Sequence, residues 1–245
     1  MEAQKQLFMA TILLLAASFS PLFAQKQLAK SSQRITIQQG TMVIDKDFIA
    51  IEGEATNTPL KGWALRTPKD AGYDKIKGAV APVNDSYIEY MEGNISGAGI
   101  EAGTNELTYT FTPLTSGDYT LTGRMAQRLT VGDSTARWDL CNDIFLKLSG
   151  DFSSANDAPL EILKGWNKYY GRGKDTWGAF VKADVHHKYY TVAYRLQAGK
   201  QYTLHISGRS KHCCIDYLLL SKDPLVFNEE TDLAEVNDAK YRPSK

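Results

Sequence analysis

Residues 196 to 220 read LQAGKQYTLHISGRSKHCCIDYLLL, and the period of that stretch decides the fold class. Tyr202, Leu204 and Ile206 alternate with Thr203, His205 and Ser207, which suits a half-buried antiparallel strand because successive side chains of a strand point to opposite faces. Gly208, Ser210 and Lys211 supply turn residues, and a second run then puts Ile215, Tyr217 and Leu219 on one face. The pair predicts the closing hairpin of a β-sandwich.

The same period recurs upstream. Phe48 to Glu54 alternates, and Leu107 to Phe111 does so more cleanly. Pro113, Ser116, Gly117 and Asp118 turn the chain into the run from Tyr119 to Met125, a hairpin signature. Ile144, Leu146 and Leu148 form another apolar face, and Tyr190, Val192, Tyr194 and Leu196 the next. Helical periodicity is nowhere sustained, so the chain reads as all-β, a two-sheet antiparallel β-sandwich or jelly roll. A stretch from Gly150 to Lys188, rich in Gly, Asn, Asp and aromatics, is longer than a hairpin loop needs to be and is where function is expected.

Lys5, an apolar run from Leu7 to Phe19 and Pro21-Leu22-Phe23-Ala24 have the layout of a secretory signal, with cleavage expected after Ala24. The run is shorter than the roughly 20 apolar residues that cross a bilayer, so no membrane insertion is expected once the signal is removed. Residues 1–24 are thus read as signal, 25–41 as a flexible lead, 42–224 as the β domain and 225–245 as a peripheral tail of a secreted or periplasmic protein. Lys plus Arg and Asp plus Glu each total 28, and removal of Glu2 and Lys5 preserves the balance. A neutral chain exerts no long-range pull on phosphate backbones or anionic lipids, which disfavours nucleic acid and membrane partners.

Of the three cysteines, Cys213 and Cys214 are strand neighbours on opposite faces, so only one of them can readily meet Cys141. One long-range bridge with a lone thiol, and three reduced buried cysteines, are both open. C-x-x-C and spaced His pairs are lacking, so zinc is not expected. His186 and His187 are adjacent on an extended chain and cannot easily ligate one ion together. Neither G-x-S-x-G, H-E-x-x-H nor a phosphate-cradling glycine loop occurs. Glu230-Thr231-Asp232-Leu233-Ala234-Glu235 matches the E-x-D-x-x-E spacing of family 16 glycoside hydrolases, but its flanks lack the alternation of a buried strand, so it is read as coincidence.

L-x-A-G, a Leu/Ile alternation and G-R-S ahead of I-D-Y-L-L-L resemble the last two strands of family 6 and family 35 carbohydrate-binding modules and their malectin-like, galactose-binding-like relatives. Ile49 to Ala55, IAIEGEA, resembles their opening I-x-A-E, and Ser116 to Ala126, SGDYTLTGRMA, their G-x-Y-x-x-x-x-R-x-A strand. The resemblance covers scattered pieces from about Ile49 to Ser221. It implies a structural calcium held by carboxylates of the first and last strands, here Glu52, Glu54 and Asp216, which matches calcium's demand for several hard oxygens. Two departures stand out: Gly53 replaces the family's Ala, and Cys214-Ile215-Asp216-Tyr217 replaces Asn-Leu-Asp-Trp. Solvated strand carboxylates are the plainer alternative.

Sugar recognition combines flat apolar rings with planar polar groups. Trp138 with Asn142 and Asp143, the run Trp166-Asn167-Lys168-Tyr169-Tyr170, Trp177, and Tyr189 with His187 lie in or next to the connections that the resemblance implicates in binding. Trp166, Tyr169 and Trp177 are expected to be exposed, although each ring would also suit a sandwich core. Arg172 and Lys174 could meet a sulfate or uronate. The reading is a non-catalytic protein that binds a poly- or oligosaccharide. A small secreted lyase or hydrolase on a jelly roll is the first alternative, and a structural or adhesion subunit for another envelope protein the second.

Overall fold

The period-2 runs become strands, and turn clusters separate them. The computed structural model describes residues 40, 42–76, 81–93, 105–128, 142–171 and 175–223, all in one compact unit. The expected signal, the lead up to residue 39, Trp138, Cys141, Arg172, Lys174 and the tail from residue 224 with its Glu-x-Asp-x-x-Glu run lie outside the described residues.

Fourteen strands occur among the described residues. They begin with β1 (Met42–Ile44), β2 (Phe48–Glu52), β3 (Trp63–Arg66), β4 (Tyr87–Tyr90) and β5 (Leu107–Phe111). The eleven-residue β6 (Gly117–Gln127) follows, then β7 (Asp143–Ser149), β8 (Ser153–Ser154), a one-turn helix α1 (Leu160–Lys164) and β9 (Asn167–Gly171). The set closes with β10 (Gly178–Val185), β11 (Lys188–Thr191), β12 (Ala193–Leu196), β13 (Tyr202–Gly208) and β14 (Cys213–Ser221).

All of the pairings are antiparallel, and the main path runs β1-β2-β14-β6-β10-β9-β7-β13-β5. Although hydrogen bonding is continuous through β10, the path folds into two layers that share one core. Ile49, Ile51, Leu121, Leu218 and Leu220 of the β1-β2-β14-β6 layer pack with Leu107, Tyr109, Leu146, Leu148, Leu204 and Ile206 of the β9-β7-β13-β5 layer. The Tyr109 hydroxyl crosses between the layers to donate to the Gly53 carbonyl at 2.6 Å.

Neither expected hairpin forms. β13 pairs with β5 and β7, whereas β14 pairs with β2, β4 and β6. Likewise β5 pairs with β13, and β6 with β10, β12 and β14. Each link is an arch from one layer to the other. Layers pack about 10 Å apart, and a link of four or five residues at about 3.4 Å each spans that distance. In the last arch His212 takes a positive φ of 67° and donates its backbone N–H to the Tyr90 carbonyl at 2.8 Å.

β14 carries a second departure. Its register with β6 shifts between Ile215 and Tyr217, so Asp216 is the extra residue of a bulge, and a bulge reverses the facing of whatever follows it. Cys213, Ile215, Leu218 and Leu220 therefore face the main core, while Tyr217 and Leu219 join Phe48, Ala50 and Val83 on the other side. Ile215, Tyr217 and Leu219 do not share a face. Also on that outer side, Ile76, Tyr87, Ala126, Trp177 and Cys214 form a third cluster. The outer face of the β2-β14-β6 layer is thus covered by Tyr73, Ile76, Val83 and Trp177, and every residue of β14 is buried. In the other layer β5 and β9 alternate buried with half-exposed residues, so among the described residues its outer face is the more open of the two.

Candidate functional site

Cross-strand register sets side chains in rows on that open face. Ser207 of β13 lies opposite Phe145 of β7, Phe145 opposite Lys168 of β9, Lys168 opposite Asp184 of β10, and Asp184 opposite Tyr189 of β11. The next row pairs His205 with Lys147 and leads to Trp166 at the mouth of β9, while Asp143 and Tyr170 begin the row on the other side. A groove of about 300 Å³ lies over these rows, lined by Phe145, Trp166, Asn167, Lys168, Asp184, Val185, His186, His187 and Arg209.

Local structure fixes the groove's ends. Past the C-terminus of α1 the Asn167 amide donates to the carbonyl of Ile162, which also accepts the Gly165 N–H, and to that of Gly165 at 3.0 Å, which sets where Trp166 emerges. His186 and His187, with φ of 50° and 64°, form the two-residue turn between β10 and β11. Tight hairpins favour positive φ, which is uncommon outside glycine and which Asn, Asp and His adopt most readily of the rest. The Asp184 carboxylate compensates by accepting the His187 backbone N–H at 2.8 Å.

Charges on the groove floor are mostly paired internally. Lys168 Nζ lies 2.6 Å from Asp184 Oδ2, and Arg209 pairs with Asp143 while its guanidinium sits 5.7 Å from the centre of the Phe145 ring. Burial pushes the Asp143 carboxyl above the usual carboxylate range; Arg209 and Lys168 oppose the rise, and Asp184 adds to it. His205 Nδ1 meets Glu106 Oε1 at 2.5 Å. Three aromatic rings stand at the surface: half-buried Trp166 under Lys147 Nζ at 4.6 Å, and half-buried Tyr170 edge-on to exposed Tyr189 at 5.6 Å.

The structure brings together Asp143, Trp166, His187 and Tyr189 from the sequence reading, with Asn142 beside them, buried and accepting the Gly171 N–H at 2.9 Å. It corrects two others. Tyr169 is 1% exposed in the main core and Trp177 5% exposed against Tyr87 and Arg124, so neither ring can stack on a ligand. Phe145, Lys147, Asp184 and Arg209 were not singled out from the sequence as binding residues, and Lys168 and Tyr170 entered only as members of the run from Trp166 to Tyr170. Two signals mark them: Ile144, Leu146 and Leu148 facing inward put Phe145 and Lys147 outward, and a charged Lys168 puts Trp166 and Tyr170 outward and Tyr169 inward.

The three carboxylates implied for calcium do not assemble as one set. Asp216 Oδ1 accepts the Val83 N–H at 2.9 Å and Oδ2 accepts from Arg124 at 2.6 Å, and a guanidinium there opposes a second cation. No cluster of three or more His, Cys, Asp or Glu fit to hold a metal occurs among the described residues. Glu52 and Glu54 do fit a hard cation. Glu52 accepts from Gly40 N–H at 2.5 Å and from the Asn84 amide, and Glu54 Oε1 accepts from the Ser86 hydroxyl. Glu54 Oε2 is buried with no hydrogen-bond partner, and burial raises its carboxyl despite the Ser86 hydrogen bond.

No family model matches the sequence, and no curated protein matches it. Among solved structures the chain is similar to a Podospora anserina GH26-CBM35 β-(1,4)-mannanase, with 14% identity and a TM-score of 0.43 over 74% of this chain and 29% of that one. It is similar to the C-terminal CBM6 of a marine laminarinase from Zobellia galactanivorans, with 13% identity and a TM-score of 0.37 over 72% of this chain and 100% of that one. A family 35 carbohydrate binding module from Clostridium thermocellum matches at 13% identity and a TM-score of 0.35, over 74% of this chain and 95% of that one. The chain spans 24 to 32% of the larger proteins it matches. At these identities the functional reading rests on the groove's own residues.

Proposed function

We propose that this chain is an exported carbohydrate-binding protein that holds a poly- or oligosaccharide along the open face. The observation that carries the reading is the groove on this sheet face, where Trp166, Tyr170 and Tyr189 stand among Lys168, Asp184, His187 and Arg209. Rings offer flat surfaces to sugar C–H groups, and the interleaved polar groups fix hydroxyl orientation. Asp143 and Asp184 are each engaged with a basic side chain, which supports holding a ligand over acid–base turnover. A shallow, wet groove gives micromolar to millimolar dissociation constants after ordering is subtracted.

Calcium belongs to the proposal as a structural ion between Glu52 and Glu54, with Asn84 and Ser86 as neutral oxygen donors and Asp216 left to Arg124. When bound, it would supply positive charge beside the Glu54 Oε2 oxygen, which accepts no hydrogen bond. No described helix is long and apolar enough to cross a membrane.

A glycan array on the mature domain, run in calcium and again in chelator, tests the reading. Retention of at least one glycan without release of reducing ends supports it. Turnover of a glycan would replace it with the enzymatic alternative, and capture of an envelope protein with no glycan retained would replace it with the adhesion alternative.

A further inference from the structure

The groove also indicates which class of sugar it takes. This step rests on the reading of the open face as a glycan site.

Three basic groups on or beside the groove have acidic partners in the structure: Lys168 has Asp184, Arg209 has Asp143 and His205 has Glu106. Lys147 differs. Among the described residues no acidic side chain pairs with it, and its ammonium instead lies 4.6 Å from the centre of the Trp166 ring. It stands mid-strand on the open face, opposite His205, and is half-buried. An ammonium over a half-buried indole at the surface is held only weakly, yet it covers the ring on which a sugar would stack.

We propose that the ligand is an anionic glycan, bearing carboxylate or sulfate groups, and that Lys147 recognises the anion. A neutral sugar must displace Lys147 from Trp166 without offering its charge a new partner. An anionic residue draws the ammonium off the ring, so one side-chain movement forms an ion pair and bares the stacking surface together. Lys147 thus selects against neutral chains while Trp166 supplies the contact area.

Native affinity electrophoresis decides it, with the mature protein run through gels containing polygalacturonate, fully methyl-esterified polygalacturonate, κ-carrageenan or chemically desulfated carrageenan. Retardation by an acidic polymer that is lost on its neutralised counterpart is expected, and the pair that shows it separates carboxylate from sulfate. Lys147→Met should weaken that binding about fivefold or more and reduce its dependence on salt, whereas Lys200→Met, which removes a surface cation elsewhere, should change neither. Equal retardation by charged and neutralised polymers overturns the inference and leaves the proposed function standing. Absence of retardation by both acidic polymers also overturns it, and the glycan array then decides separately whether the face binds sugar at all.

Discussion

Arg124 Nη1 donates to Asp216 Oδ2 across 2.6 Å with both side chains buried, which ties the bulge of β14 to the neighbouring β6. Removing one member of a buried pair strands the other, at about 3–5 kcal/mol. Arg124 also lies 5.0 Å from the centre of the Trp177 ring, so its loss would loosen the outer cluster too. Arg124→Met should therefore lower unfolding free energy in urea by about 3 kcal/mol or more. An Arg124→Met/Asp216→Leu double variant should recover most of that loss, and a double variant no better than the single would show that the pair does not act as a unit.

Glu89 should contribute to the acid limb of stability. It accepts from Arg66 at 2.6 Å and Arg128 at 2.5 Å and meets His212 Nδ1 at 2.8 Å. Burial pushes its carboxyl up, but His212, Arg128 and Arg66 together outweigh burial and leave it below the ordinary glutamate value. The folded chain then binds that proton less readily than the unfolded one. Its contribution is complete above about pH 5 and is lost as pH falls through the lowered value. Glu89→Gln should reduce Tm at pH 7 and flatten the fall of Tm between about pH 5 and 2; an unchanged acid slope would locate that sensitivity elsewhere.

Glu54 has the opposite sign. Its raised carboxyl holds a proton more tightly in the folded chain, so its contribution is present below the ordinary glutamate value and is lost as pH rises through the raised one. Calcium between Glu52 and Glu54 would reverse that loss at neutral pH. Calcium should raise Tm at pH 7 and have little effect at pH 4, where protons compete for the site. Glu54→Gln should raise the Tm of the calcium-free protein at pH 7 and abolish the calcium increment. Identical melting curves with and without calcium at pH 7 would remove the ion from the reading.

Trp166 and Trp177 should part company on mutation. Trp166→Ala removes a half-buried ring from the groove and should weaken glycan retention about tenfold while lowering unfolding free energy by no more than about 1 kcal/mol. Trp177→Ala empties part of a packed cluster and should lower stability by about 3–5 kcal/mol with glycan affinity intact. Loss of affinity in Trp177→Ala at a temperature where it remains folded would mean that binding depends on the covered face.

Most strands were legible in the sequence because a run such as Tyr202 to Ser207 needs only its own alternation to declare itself. Their partners were not, because alternation states which face a residue takes and says nothing of which strand lies beside it. The same turn residues serve a hairpin and an arch, which is why the links before β6 and β14 were misread. The bulge at Asp216 was hidden for a related reason: one extra residue inverts the rest of the strand, and nothing about an aspartate flanked by Ile215 and Tyr217 announces it. At the groove, loop aromatics were a poor guide, since Tyr169 and Trp177 belong to interior clusters. The charged residues between apolar ones, Lys147 and Lys168, marked the open face better than the rings did.

The position of β14 has a temporal consequence. β14, the last strand among the described residues, lies between β2 and β6, so a growing chain lacks the middle of one layer until residues 213–221 are made. Contacts that join residues near 50 to residues near 220 place the protein among slow, non-local folders, in the range of about milliseconds to seconds.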